Sequence, residues 1–340
     1  MLRASWQKYC LHFKEPSGTS RGILTDKETY FIRIWEECQP RVCGLGECAL
    51  FRGLSADDRP GYEEKLREVC WHIGDVTSSD LREWSSIRFG VEMAMRDLIN
   101  GGLHLYYPSP FTEGEQAIEI NGLIWMGDRS TMLRRIQEKL TTGFRCIKLK
   151  IGAIDFDAEL SLLKYIRQSF SRDEVELRVD ANGAFAPSEA LAKLGALARF
   201  ELHSVEQPVR QGQWEIMAGL CRKTEVPIAL DEELIGVDFA DRKRLLLETV
   251  RPHYIVLKPA LCGGFSGAEE WIRLAGEYQT GWWVTSALES NIGLNALAQW
   301  TATLGTDMPQ GLGTGQLFTN NLPSPLVQVG CQLRMEKNSF

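Results

Sequence analysis

The chain has 340 residues, 44% of them apolar and 24% charged, with a formal net charge of −7. This is the composition of an ordinary soluble globular protein with room for one large domain or two smaller ones. It argues against a nucleic-acid-binding surface, and no apolar run approaches the roughly 20 residues that would span a bilayer.

The stretch from Leu2 to Phe13 mixes apolar and polar residues and lacks the apolar centre of a signal peptide. Nine cysteines are scattered without a CxxC pair. Cys43 and Cys48 come closest, with neither the spacing nor the partners of a zinc site. Reduced thiols in a cytoplasmic protein are therefore expected. Residues 6–13 and 29–36 read as strands, separated by a flexible Pro16-Ser17-Gly18-Thr19-Ser20-Arg21-Gly22 loop. Residues 42–50 read as a third strand, closing on Phe51-Arg52-Gly53-Leu54-Ser55. Helical patterns follow at about 62–73 and 85–99, the second stopped by Gly101-Gly102.

From Ile118 short apolar strands alternate with amphipathic helices. The strands fall at 122–126, 146–151, 175–179, 204–206, 228–230, 254–258, 282–285 and, weakly, 311–314; helices such as 156–170, 188–198 and 267–278 lie between them. That alternation predicts a parallel sheet with right-handed crossovers, and eight such strands in a short stretch predict a βα barrel. A doubly wound open sheet is the structural alternative, but no Gly-rich phosphate fingerprint follows the first strand. The tail from Leu317 to Met335 has strand-like pieces and is expected to return to the N-terminal unit.

The strand ends carry the chemistry. The run Arg178-Val179-Asp180-Ala181-Asn182 places Arg178, Asp180 and Asn182 on one face of a strand. The next three strands end in Glu206, Asp231 and Lys258, at intervals of 26, 25 and 27 residues, each about one βα repeat. The preceding strand carries Lys148 and Lys150 on one face. A lone acidic residue at a strand end is usually a helix cap, and a lone Lys-x-Lys a solvated edge. Five charged groups in register with the repeat are a different matter, because successive strand ends meet at the C-terminal rim of a barrel. Three carboxylates without histidine or cysteine suit a hard, oxygen-seeking cation: Mg²⁺, with Mn²⁺ possible. Asp180, Glu206 and Asp231 are the expected ligands, with Asn182 and Glu232 supporting them.

Lys148-Leu149-Lys150, Asp180, Glu206, Asp231 and Lys258 resemble the enolase superfamily, specifically its muconate-lactonizing subgroup. A Lys or His base working beside Mg²⁺ on an enediolate is an established pattern of that superfamily. The resemblance implies an α/β fold: a modified (β/α)7β TIM barrel over residues 116–315, with an N-terminal α+β capping domain over residues 1–115. Residues 316–340 would return to that cap. Within the subgroup, Ser286-Ala-Leu-Glu-Ser-Asn-Ile-Gly293 and Leu312-Gly-Thr-Gly315 look most like the o-succinylbenzoate synthases of menaquinone biosynthesis.

That resemblance implies Lys150 as the single acid/base of a syn dehydration and Lys258 as a cation across the substrate ring. Lys148 is expected to disfavour protonation of Lys150, since an ammonium about 5 Å away is worth roughly 3 kcal/mol at an effective dielectric of about 20. Ser286, Gly313 and Thr314 are expected at a small-molecule carboxylate substrate. Arg178 has two readings, a substrate contact or a structural ion pair. The loops at 16–22 and 51–55 are candidate lid segments. N-acylamino-acid racemisation and muconate cycloisomerisation remain alternatives within the subgroup. A dipeptide substrate is disfavoured, because Gly313-Thr314-Gly315 offers no carboxylate for an ammonium. A Schiff-base aldolase leaves the three carboxylates unexplained, and a non-catalytic binding module would not need all five groups. Oligomeric state is not specified by these residues.

Overall fold

The computed structural model describes residues 1–19, 22–77 and 80–336. Strands β1 (Leu2–Thr19) and β2 (Gly22–Glu36) form a long antiparallel hairpin whose register shifts between His12 and Ser17. The loop expected at 16–22 is thus mostly the tip of that hairpin, because Ser17, Gly18 and Thr19 still pair with Leu24, Ile23 and Gly22. Ser20 and Arg21 lie outside the described residues. β3 (Cys43–Cys48) adds to β2, and helices α1 (Tyr62–Trp71) and α2 (Ser85–Ile99) follow. A Cβ on Gly46 would lie 1.9 Å from the Gly90 carbonyl oxygen, so α2 sits directly on the β3 backbone only because glycines meet there.

The second unit begins with β4 (Ala117–Glu119) and then alternates. In chain order come β5 (Gly122–Ile124), α3 (Arg129–Thr141), β6 (Cys146–Lys150), α4 (Phe156–Ser169), β7 (Glu176–Asp180) and α5 (Pro187–Ala198). They are followed by β8 (Ser204–Glu206), α6 (Trp214–Lys223), β9 (Ile228–Leu230) and α7 (Ala240–Val250). β10 (Tyr254–Leu257), α8 (Gly264–Glu277), β11 (Gly281–Val284) and α9 (Asn291–Ala302) complete the series. The strands from β5 to β11 form one curled parallel sheet in sequence order. Their side chains are buried almost throughout, as a sheet covered by helices requires.

The eighth strand expected at 311–314 is not formed. Residues 310–311 make only two isolated parallel bridges, Gln310 to Ile120 and Gly311 to Thr285. They still join the two edges of the sheet. The crossing is close: a Cβ on Gly311 would fall 1.9 Å from Thr285 Oγ1, so it tolerates only a glycine backbone.

The tail runs first along β1, where Lys14 N donates to Leu317 O and Thr319 N to His12 O, each at 2.8 Å. It then forms the hairpin β12 (Leu326–Val329) and β13 (Gln332–Met335), and β13 pairs with β4. Two carboxylates tie the N-terminal unit to the barrel. Glu92 on α2 accepts from Phe265 N at 2.6 Å at the start of α8. Glu47 on β3 accepts from Ser290 N and Gly293 N, both at 2.9 Å, at the start of α9. Each places an anion where a helix exposes free N–H groups. Among the described residues no helix is long and apolar enough to cross a membrane.

Candidate active site

Parallel pairing sets the site in register. Lys150 lies opposite Asp180, and Asp180 opposite Glu206, on adjacent strands β6, β7 and β8. Asp231 and Lys258 each follow directly on the last residue of β9 and β10. The structure therefore gathers all five charged groups, with Lys148 one pleat below Lys150.

Ligand oxygens of Asp180, Glu206 and Asp231 lie within 4.8 Å of one another, and all three residues are buried. Lys148 Nζ reaches Glu206 Oε1 and Oε2 at 2.7 and 2.6 Å and Asp180 Oδ2 at 3.1 Å. Lys150 Nζ meets the same Asp180 oxygen at 2.9 Å and Asn182 Oδ1 at 2.8 Å. Lys258 Nζ is hydrogen-bonded to Asp231 Oδ2. Asn182 Nδ2 in turn donates to Glu232 Oε1 at 3.0 Å, so the two expected supporting residues join each other, and Asn182 links them to Lys150.

Burial pushes the Lys148 ammonium down, but the fields of Asp180, Glu206 and Asp231 outweigh it and hold the group well above the ordinary lysine range. Asp180 is buried too, yet Lys148 and Lys150 pull its carboxyl far below the usual value. Glu206 moves the opposite way, raised by burial and by the Asp180 charge. This qualifies the expected effect of Lys148 on Lys150. The two ammonium groups share Asp180 and so lie within about 6 Å, but the carboxylates between them offset much of their repulsion.

Three crowded, buried carboxylates with no thiol or imidazole among them fit a hard divalent cation, which relieves the repulsion that raises Glu206. Asp180, Glu206 and Asp231 are the residues that would hold it. Backbone strain collects at the same place: Asn182 and Gln207, each just beyond a carboxylate, have φ of 44° and 38°.

Above these groups lies a cavity. Lys148, Lys150 and Lys258 reach it, and Ser286, Gly313 and Thr314 form part of its wall. Phe51 and Leu54 from the N-terminal unit cover it, as expected of the 51–55 segment. Pro16 lines a neighbouring groove instead. Arg178 does not line the cavity. Its side chain points one pleat deeper, donating to Glu176 Oε1 at 2.7 Å and Pro309 O at 2.9 Å and stacking on Trp283 at 4.4 Å. Of its two readings, the geometry favours the structural ion pair.

Sequence reasoning missed Trp125 and Leu288. Trp125 was read as strand, but β5 ends at Ile124, which turns the indole toward the cavity with Lys150 Nζ 5.9 Å from its ring. Its position at a strand end was the available signal. Leu288, also on the wall, has φ of 62°, and nothing in its residue type announces that.

Comparison with known proteins agrees with this geometry. Residues 131–327 match the family model of the enolase C-terminal domain-like proteins. The o-succinylbenzoate synthase of Desulfotalea psychrophila is 47% identical over 363 aligned positions, covering 97% of this chain and 98% of that protein. The crystal structure of MenC from the same organism superposes with a TM-score of 0.87 at 42% identity, covering 98% of this chain and 99% of that one. An N-succinylamino acid racemase of Thermus thermophilus is 34% identical over 292 positions, covering 81% of this chain and 75% of that protein. The chain belongs to the enolase superfamily and, within it, to the family of the o-succinylbenzoate synthases.

Proposed function

We propose that this enzyme dehydrates 2-succinyl-6-hydroxy-2,4-cyclohexadiene-1-carboxylate to o-succinylbenzoate in menaquinone biosynthesis. The observation that carries the reading is the 47% identity to the Desulfotalea synthase across nearly the whole chain. A divalent cation held by Asp180, Glu206 and Asp231, Mg²⁺ by the hardness of its donors and Mn²⁺ as a substitute, supplies positive charge to the substrate carboxylate when bound.

Lys150 in its neutral form takes the proton from the carbon next to that carboxylate. The C–H bonding pair becomes a ring double bond as the C–O bond to the hydroxyl breaks in a second step. Lys150 returns its proton to the departing oxygen, so water leaves and the ring becomes aromatic. One group serves both steps because the proton and the hydroxyl lie on one face. Lys258, held by Asp231, presents a cation to the other face, where charge spreads over the ring. Lys148 adds a fixed positive charge beneath the reacting carboxylate. Phe51, Leu54, Leu123, Trp125, Leu261 and Leu288 exclude water from the wall.

A second reading, racemisation of an N-acyl amino acid, is favoured by one observation: Lys150 and Lys258 enter the cavity from well-separated strands, as a two-base reaction needs. Purified enzyme with Mg²⁺ separates the two. Dehydration of the cyclohexadiene, followed by absorbance, should exceed α-proton exchange of any N-acyl amino acid in kcat/KM by orders of magnitude. Comparable values would make dehydration one of two activities.

A further inference from the structure

A buried cation at the seam between the N-terminal unit and the barrel has no part in the mechanism above. Lys27, on β2, is 6% exposed, and its Nζ has no hydrogen-bond partner among the described residues. Lys27 shares a strand face with Thr29, whose hydroxyl donates to Glu47, and Glu47 in turn holds the Ser290 N–H beside Glu289; both carboxylates are fully buried. Glu47 is already occupied by Thr29 Oγ1 at 2.8 Å, by the Ser290 hydroxyl at 2.6 Å and by the N–H groups that open α9. Glu289 is half occupied. Its Oε2 accepts from Ser286 Oγ at 2.5 Å, while its Oε1 is buried without a hydrogen-bond partner among the described residues. Lys27 Nζ and Glu289 Oε1 are thus two buried, unpartnered groups in one neighbourhood, and burial presses each toward its neutral form, lowering the Lys27 ammonium and raising the Glu289 carboxyl, while each opposes the other's shift.

What Glu289 holds is the cavity wall. Ser286 donates its only hydroxyl proton to Glu289, and so accepts from Thr314 Oγ1 at 2.9 Å and from Leu288 N at 3.0 Å. Those three residues line the cavity, and Leu288 is kept in its left-handed conformation there. The chain of donors runs one way, from Thr314 through Ser286 to the Glu289 carboxylate oxygen. Both hydroxyl protons therefore point away from the substrate.

We propose that Lys27 is a positioning residue: its ammonium keeps Glu289 ionised and in place, and thereby fixes the Ser286–Leu288–Thr314 wall and the direction of its hydroxyls. The proposal rests on the dehydration reading only for its assay. Burial raises the Glu289 carboxyl and Glu47 raises it further, while the Ser286 hydrogen bond and Lys27 oppose them. Without the Lys27 charge, Glu289 takes up a proton more readily, the donor chain can reverse, and the wall presents different polarity to the substrate.

The test is steady-state kinetics of Mg²⁺-loaded Lys27→Met, Lys27→Arg, Glu289→Gln and the Lys27→Met/Glu289→Gln double variant, with thermal unfolding of each. Lys27→Met should raise KM roughly tenfold with kcat changed far less, and Lys27→Arg should restore most of the loss. KM of Lys27→Met should also climb as pH falls, where the wild type stays flat. Because both residues act on one wall, the double variant should be no worse than the worse single variant. An unchanged KM in Lys27→Met, effects that multiply in the double variant, or equal losses in Lys27→Arg would overturn the proposal. If Lys27→Met does not fold, Glu289→Gln and Lys27→Arg carry the same test. A wild type that fails to dehydrate the cyclohexadiene would instead sink the functional reading.

Discussion

Lys148 and Lys150 differ by two positions and share Asp180, but Lys148 also grips Glu206 whereas Lys150 reaches Asn182 at the cavity, and this division decides what each substitution does. Lys150→Ala should leave no measurable dehydration, since it removes the group proposed to take and return the proton. Lys150→Arg should fail as well, because a guanidinium stays protonated at any usable pH. Lys258→Arg keeps a cation beside Asp231 and should retain a small residual rate. A Lys258→Arg enzyme that is dead while Lys150→Arg turns over would reverse the two roles. For the carboxylates, Asp180→Asn, Glu206→Gln and Asp231→Asn should each weaken divalent-cation binding in calorimetry. Turnover should fall by about a thousandfold or more while the circular dichroism stays that of the folded chain. Full turnover in excess chelator would remove the cation from the mechanism.

The segment that covers the cavity is pinned to a helix. Asp57 accepts from Ser86 N at 2.9 Å and Ser86 Oγ at 2.6 Å at the start of α2, three residues beyond Leu54. Burial outweighs these hydrogen bonds and pushes the Asp57 carboxyl up to about 6 from its ordinary 3.8. For an acid raised in the folded state, the stabilisation is present below the unfolded value and is lost as pH rises through about 6. A shift of about 2 units corresponds to roughly 3 kcal/mol. Asp57→Asn keeps an acceptor but no charge. It should therefore be more stable than wild type at pH 8, by up to that amount, and converge with it below about pH 4. Urea titrations at several pH values measure the difference; a gap that does not depend on pH would show that the Asp57 carboxyl titrates alike in the folded and unfolded chain.

Closure of the sheet is a property of the whole molecule, and it rests on very few residues. Gly311 bridges to Thr285, with Ser286 N donating to Gly311 O at 3.0 Å, and Gln310 reaches Ile120 across the gap. Gly311→Ala puts a methyl against Thr285 and should cost about 2–4 kcal/mol of stability, read as a lower urea midpoint. KM should rise as well, because Ser286 and Gly313 flank the bridge. A variant with an unchanged midpoint would mean that the sheet edges do not depend on this crossing.

Five charged residues at successive strand ends, spaced by one βα repeat, already placed Lys150, Asp180, Glu206, Asp231 and Lys258 on one rim, because strand order in a parallel sheet follows chain order. The same logic reached Asn182 and Glu232, which sit beside their partners in the chain. It overstated the strand at 311–314: an apolar, glycine-flanked run fits a strand, but only the packing of Thr285 against Gly311 shows that two bridges are all that form. Arg178 shares its strand face with Asp180, so alternation alone left it between a substrate contact and a structural ion pair; the depth of one pleat, visible only in the folded barrel, sends it to Glu176. Phe51, Leu54 and Lys27 come from the far end of the chain. Their place over or beside the cavity was settled by how the N-terminal sheet docks on the helix starts at Phe265 and Ser290. Local periodicity fixes what one strand presents, whereas contacts between residues hundreds of positions apart exist only once the two units have packed.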